Sequence, residues 1–445
     1  MSSIRPPALQ LHKPFRTQNH TPVGERAIAS LTLLAISPII LIRAAAGYAR
    51  TGKTVDIVDA VGPAERTFRL RTLAGEARGA TILHLWSVVR GDMRIIGPFP
   101  LSTAEARALP DRQLWRVEGM PGIFSVHRLR EYTGITYEGD EPADRALMSE
   151  PGLSRARNLG LIVRSLLASA LRTPPGREEP SELNLFDIPI ANTTMEEALS
   201  AVTSRAREEP RVGQADLIYF VNPGCLNIAA TDPSYHRVLH RATMILPDGI
   251  GLKVASRMKG VALRENVNGT DLFPRLCKMA ADQGLPLFLL GARPGVAESA
   301  AQAMQHVYPE LKIVGTHHGY ISNDDDEVVS LINRSGARIL LVAMGVPQQE
   351  MWCDRMHPRL APGVVMGVGG LFDFYSGRIP RAPVWIRELG MEWIWRLKQE
   401  PRRMWRRYVI GNPLFLFRVW QEHGSEQKSA TNLAVRQGDS NARRC

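Results

Sequence analysis

Six short apolar runs recur through the second half of the chain, at Leu217–Val221, Ala242–Leu246, Pro286–Leu290, Ile313–Gly315, Ile339–Ala343 and Val364–Val368. Helically spaced segments separate them. Short continuous apolar runs predict strands buried on both faces, so the pattern predicts an α/β fold: a Rossmann-like parallel sheet covered by helices on both sides. Earlier, Ala27–Ile42 reads AIASLTLLAISPIILI, without a charge. A straight helix of about 16 residues at roughly 1.5 Å per residue reaches only about 24 Å, short of a hydrocarbon core of roughly 30 Å. Ser37-Pro38 interrupts this run, where proline removes one backbone hydrogen bond and the serine hydroxyl can satisfy the freed carbonyl. The pattern therefore predicts a re-entrant, kinked membrane hairpin over 27–49. A tilted spanning helix extended through Arg43–Ala49 and a cleaved signal peptide ending near Ala44–Ala46 stay open as alternatives.

Polar, proline-rich Met1–Pro22 reads as a mobile arm, and Leu159–Leu167 as an amphipathic helix. Arg172–Pro180 is charged and proline-rich, which predicts a stiff linker. The expected organisation is a smaller α/β membrane-associated domain at 23–172, a linker at 173–183, a main domain at 184–420 and a disordered polar tail at 421–445.

The net charge of +11 over 445 residues implies an anionic partner. Arginines alternate with tryptophans in GMEWIWRLKQEPRRMWRRY, so membrane lipid or a diphosphate fits better than nucleic acid. That block predicts a helical, membrane-facing appendage at the C-terminal end of the main domain. Cys225, Cys277, Cys353 and Cys445 are widely spaced with no C-x-x-C pair, which predicts a reducing compartment, with Cys225 and Cys277 as core thiols. His317-His318 lacks a matched third ligand, and Asp324–Asp326 reads as a helix start, so no metal is expected. No cofactor is expected either.

Two of the apolar runs break at glycine into polar segments, Gly345–Glu350 and Gly369–Phe374. Ligands of open parallel sheets sit at strand ends. Three adjacent polar side chains, Gln348, Gln349 and Glu350, are hard to explain there by packing. LLVAMGVPQQEMW, VVMGVGGLFDFYSGRIPRAPVW and the Arg-Trp block resemble the WecG/TagA/CpsF glycosyltransferases (glycosyltransferase family 26). The likeness extends through Val221–Pro223, Leu246–Gly251, Asn268–Leu272 and Phe288–Ala292, covering roughly Asn184–Trp420.

This resemblance implies inverting transfer from a UDP-sugar donor to a polyprenyl-diphosphate-linked saccharide acceptor, in bacterial surface polysaccharide assembly at the cytoplasmic face of the inner membrane. A homo-oligomer is compatible with it. Asp248 matches the proposed base; capping of the helix near Ile250 is the alternative role. Asn222 is expected to meet substrate hydroxyls, although Phe220 stands where the family often has threonine. Asn268, Gly269 and Asp271 are expected to line the sugar pocket, with a plain turn capped by Asp271 as the other reading. Gly249 and Gly291 allow close backbone approach to ligand. Gln348, Gln349 and Glu350 are expected to recognise uridine or sugar. Asp373 needs a partner, either Arg381 or a substrate hydroxyl. Arg396, Arg403 and Arg406 are expected on one face, meeting the diphosphate, with Pro401 bending the segment.

His84–Met93 and Arg94–Pro100 resemble the monotopic phosphoglycosyl transferases, over roughly Arg26–Gly134. Those enzymes carry an Asp-Glu pair where this chain has Ala80-Thr81, and an arginine where it has Phe99. The first domain is therefore expected to be a membrane platform without priming chemistry. Two alternatives remain: a bifunctional enzyme that also primes the lipid, through Asp92 or another carboxylate, and a non-catalytic lipid-binding scaffold.

Overall fold

The computed structural model describes residues 20–63, 66–74, 81–109, 115–133, 155–170, 180–321, 325–387 and 390–425. The chain divides into two compact units, Met1–Tyr132 with Thr136–Pro175, and Thr133–Ile135 with Gly176–Cys445.

In the first unit, helix α1 (Val23–Thr51) runs unbroken for 29 residues with Pro38 inside it. The expected hairpin is thus replaced by one continuous helix. Ser37 Oγ donates to the Leu34 carbonyl at 2.8 Å, the acceptor that proline leaves without an N–H. Arg43–Thr51 then extend the helix to Gly52, whose left-handed backbone closes it. At roughly 1.5 Å per residue it spans about 43 Å, longer than a hydrocarbon core of roughly 30 Å. Among the described residues it is the one helix long and apolar enough to cross a membrane.

Residues 1–19 of the expected arm lie outside the described residues, but Thr21 is buried and donates to the Met93 carbonyl at 2.7 Å. Glu25 accepts from Arg94 at 2.7 Å and from the Ile95 N–H at 2.8 Å, fixing the start of α1. Strands β1 (Val55–Val61) and β2 (Thr67–Leu73) form an antiparallel pair, followed by α2 (His84–Arg90) and β3 (Arg94–Ile96). Then come β4 (Leu101–Ser102), on the free edge of β1, β5 (Gly122–Phe124), parallel to β3, and the amphipathic α3 (Arg155–Ala170). Phe68, Val88, Met93 and Ile123 form the core. Ala80 lies outside the described residues, and Thr81 opens the short 3-10 turn Thr81–Leu83. Asp92 faces Arg90 at 3.3 Å and Arg66 at 3.9 Å, while the Arg128 guanidinium lies 4.3 Å from the centre of the Phe99 ring.

The second unit begins with a hairpin, β6 (Glu182–Leu185) and β7 (Ile188–Ala191), and α4 (Met195–Arg207). Most of the expected linker, 173–179, lies outside the described residues. The six-stranded sheet follows: β8 (Asp216–Val221), α5 (Pro223–Ala229), α6 (Pro233–His240), β9 (Met244–Pro247), α7 (Ile250–Met258) and α8 (Gly269–Gln283). Beyond these come β10 (Leu287–Gly291), α9 (Val296–Val307), β11 (Ile313–His317), α10 (Asp325–Arg334), β12 (Ile339–Ala343), α11 (Gln348–Met356) and β13 (Val364–Gly367). The short α12 (Leu371–Tyr375) and the helices α13 (Glu392–Gln399) and α14 (Pro401–Trp405) complete the unit, with helical backbone continuing to Ser425. The tail expected to be disordered from residue 421 is therefore ordered over its first five positions, where Glu422 pairs with Lys259 at 3.1 Å.

The strand order is β11-β10-β12-β13-β8-β9, and every neighbouring pair is parallel. Alternation along each strand divides the core between the two faces. Leu217, Tyr219, Leu340 and Val342 pack on one side, and Ile218, Phe220, Leu341 and Met366 on the other. The chain leaves β9 at one edge and resumes at β10 across the sheet; β10 then leads to β11 on one side and the adjacent β12 to β13 on the other, so their loops diverge and leave a crevice at the strand ends.

Candidate active site

Two cavities open at those strand ends, one of about 1160 Å³ and one of about 140 Å³. Asn222, Asp248, Thr270, Phe374, Arg396 and Arg407 line both.

Asn222 ends β8 and caps α5, its Oδ1 accepting from the N–H groups of Gly224 at 3.0 Å and Cys225 at 3.3 Å. The same oxygen accepts from Arg407 Nη2 at 3.1 Å, and the Asn222 side chain also hydrogen-bonds Asp248. Asp248 follows β9, and its N–H donates to the Val221 carbonyl at 2.8 Å. The helix after it, α7, is capped by Gly249 without a side-chain bond, so Asp248 does not serve as that cap. Gly249 has a φ of 97° and its N–H donates to Asn266 Oδ1 at 2.6 Å. A Cβ on Gly251 would stand 2.3 Å from Pro223 Cγ, so α7 can pack on α5 only with glycine there. Burial pushes the Asp248 carboxyl above its ordinary value, while Arg407, Arg396 and the Asn222 bond pull it down.

Asn268 caps α8. Its Oδ1 accepts from the Asp271 N–H at 2.8 Å and its Nδ2 donates to Asp271 Oδ2 at 2.8 Å. The capping residue is thus Asn268 rather than Asp271. Arg381 binds the other Asp271 oxygen and approaches Glu392 at 3.7 Å. Arg381 therefore serves Asp271 and is absent from both cavity walls. Asp373 is paired instead with Arg378, at 2.5 Å, a partner closer in sequence than the one expected. Asn268, Asp271 and Gly249 line the smaller cavity; Gly269, Gln348, Gln349 and Asp373 line the larger.

Besides Arg381, three further described positions expected to meet ligand are in neither wall. A Cβ on Gly291 would lie 2.4 Å from the Ala343 carbonyl oxygen, so this glycine answers to packing of β10 on β12. Glu350 is fully buried beneath the cavity. Arg406 is exposed and lines neither cavity, whereas its neighbour Arg407 lines both. Arg407 lies in the π-helical turn Arg406–Ile410, which follows the break at Pro401. Arg396 holds the expected position, 5.3 Å from the Phe374 ring centre. Arg403 is helical, but its side chain lies outside the described residues. Among the described residues, no group of three His, Cys, Asp or Glu side chains could hold a metal ion.

The parallel sheet thus presents one carboxylate, Asp248, and two arginines, Arg396 and Arg407, on the wall common to two cavities at its strand ends. Residues 183–429 match the family described as Glycosyl transferase WecG/TagA/CpsF family, more than half of the chain. The chain belongs to that family and is a glycosyltransferase. A protein of Bacillus subtilis (strain 168) named N-acetylglucosaminyldiphosphoundecaprenol N-acetyl-beta-D-mannosaminyltransferase is 33% identical over 211 residues, 47% of this chain and 81% of that protein. A protein of the same name from Staphylococcus aureus (strain MW2) is 30% identical over 243 residues, 55% of this chain and 94% of that protein.

Proposed function

We propose that the protein transfers a sugar from a UDP-sugar in the larger cavity to a hydroxyl of a polyprenyl-diphosphate-linked saccharide entering by the smaller one. The observation that carries this reading is the Asp248 carboxylate, free of capping duty, on the wall common to both cavities and flanked by Arg396 and Arg407. Asp248 takes the proton of the acceptor hydroxyl as its oxygen attacks the anomeric carbon from the face opposite UDP. The bond from that carbon to the β-phosphate oxygen breaks, its electron pair leaves with UDP, and configuration inverts. Arg396 and Arg407 offset phosphate charge and pull the Asp248 carboxyl down against the upward push of its burial. The names of the two relatives put N-acetylmannosamine first among donors and an N-acetylglucosaminyl-diphosphate lipid first among acceptors.

The proposed location is the cytoplasmic face of the inner membrane, where nucleotide sugars are made, with α1 as the anchor. The first unit is read as a platform without priming activity. Asp92, the carboxylate named for residual priming, is already engaged by Arg90 and Arg66. The decisive experiment incubates purified protein with a panel of UDP-sugars and short-chain lipid diphosphate acceptors and reads products by mass. A product heavier than the acceptor by one sugar residue is expected; no such product with any donor defeats the reading. Release of UMP with polyprenyl phosphate alone favours the bifunctional enzyme.

A further inference from the structure

Glu350 is fully buried and absent from both cavity walls, yet it follows directly on Gln349, whose side chain lines the larger one. Gln349 Nε2 donates to Glu350 Oε1 at 2.8 Å, and Gln349 Oε1 accepts from the Gly369 N–H at 2.8 Å. The amide therefore has one allowed orientation. Flipping it would set an NH2 group against the Gly369 N–H and a carbonyl against the Glu350 oxygen, breaking both bonds. Gly367 leaves room for this amide, since a Cβ there would stand 3.0 Å from its nitrogen. Gly369 itself holds a left-handed φ of 62° in the turn between β13 and α12. This turn places Gly370 and Asp373 in the cavity wall, and the Arg396 guanidinium lies 3.4 Å from where a Gly370 Cβ would stand.

We propose that Glu350 is a positioning residue for sugar transfer: acting through the Gln349 amide, it holds the Gly369 turn, and with it one wall of the larger cavity, in the shape that receives the donor. Packing alone would be better served by an apolar side chain, since burying a carboxylate is costly and its second oxygen has no hydrogen-bond partner. The inference rests on the proposed transfer reaction only for its activity readout; the state of the Gly369 amide is read without turnover.

The test compares Glu350→Gln, Glu350→Leu, Gln349→Met and the double variant Gln349→Met/Glu350→Leu in the full-length protein. Two quantities are followed: kcat for transfer, and backbone amide exchange of the segment Val364–Asp373 by mass spectrometry. Glu350→Gln keeps an oxygen to accept from Gln349 and is expected within about threefold of the native kcat, with native exchange. Glu350→Leu is expected to lose roughly tenfold to a hundredfold in kcat, the scale of a small misplacement, and to expose the Gly369 amide. The double variant is expected to be no worse than Gln349→Met, because both changes cut one chain of contacts. Additive losses in the double variant overturn the proposal, as does a Glu350→Gln variant as poor as Glu350→Leu. If Glu350→Leu does not fold, Gln349→Met decides, since it leaves Glu350 in place: faster exchange at Gly369 supports the proposal and native exchange overturns it. Absence of turnover in the native protein defeats the transfer reading, and the exchange comparison still decides the inference.

Discussion

The two arms of the site are built differently. On the sheet side, Asp248 is held by a β9 backbone bond to Val221, by the Asn222 side chain and by a glycine turn pinned to Asn266. Fully buried strand residues lie directly behind it. On the appendage side, Arg396 and Arg407 project from α13 and the π-turn that follows α14, where Met404 is buried but Trp405, Val409 and Ile410 are exposed. The sheet supplies a fixed reacting group, whereas the appendage supplies charge from an element with little core of its own. Such an element has fewer buried contacts to oppose its opening. In the proposed reaction, the rigid arm holds the base and the loosely packed arm closes on phosphate.

The largest effect expected from this comparison is at the base. Asp248→Asn should leave UDP-sugar binding near native and lower kcat by roughly a hundredfold or more, the usual scale for losing a positioned base. Isothermal titration with UDP-sugar, beside turnover measurement, checks both halves. A lowered melting temperature with normal turnover of the folded fraction would return Asp248 to a structural role.

The arginines sharpen the contrast. Arg396→Gln and Arg407→Gln should each lower transfer roughly tenfold to a hundredfold, even with a short-chain, water-soluble acceptor, because charge-assisted bonds to phosphate are lost. Arg406→Gln, one residue away, should stay within about twofold. Equal sensitivity at positions 406 and 407 would contradict the placement of Arg407, and not Arg406, in the cavity walls.

A pH profile gives the next effect. Burial raises the Asp248 carboxyl, so the protonated, inactive form persists to higher pH than for an ordinary aspartate. Rate should therefore rise with pH through a limb lying above the usual carboxylate range. Arg407 pulls the same group down and Asp271 pushes it up. Arg407→Gln should accordingly move the limb to higher pH, and Asp271→Asn to lower pH; a limb unmoved by both changes would detach it from Asp248.

The smallest catalytic effect is expected from the first unit. Removing the residues before about Asn184 should shift much of the protein from membranes to the soluble fraction, read by sedimentation, while transfer to a water-soluble acceptor falls by no more than about threefold. A total loss of that transfer would give the first unit a share in the chemistry.

By itself, the sequence determined the sheet. Each apolar run became a parallel strand with its start or end displaced by at most a few residues, because burial on both faces leaves little choice of side chain. Asp248, Asn222 and Gln349 lie just past strand ends in the cavity lining, because a strand end followed by a cap or a glycine turn aims the backbone locally. Other features depended on contacts distant in sequence. The β6–β7 hairpin turns on Phe186 and Asp187 at positive φ, without the glycine or asparagine that would have announced it. Phe415 and Glu422, more than two hundred residues later, pack against Phe186 and bond its N–H. Continuity of α1 through Pro38 is by contrast local, since the Ser37 hydroxyl takes the carbonyl of Leu34 three residues back. Asp373 took Arg378 and left Arg381 to Asp271, since proximity across the folded chain selects among cations that are equivalent in sequence. The burial of Glu350 beneath the cavity has the same origin: depth is set by what an element packs against, and no local pattern of residues encodes that.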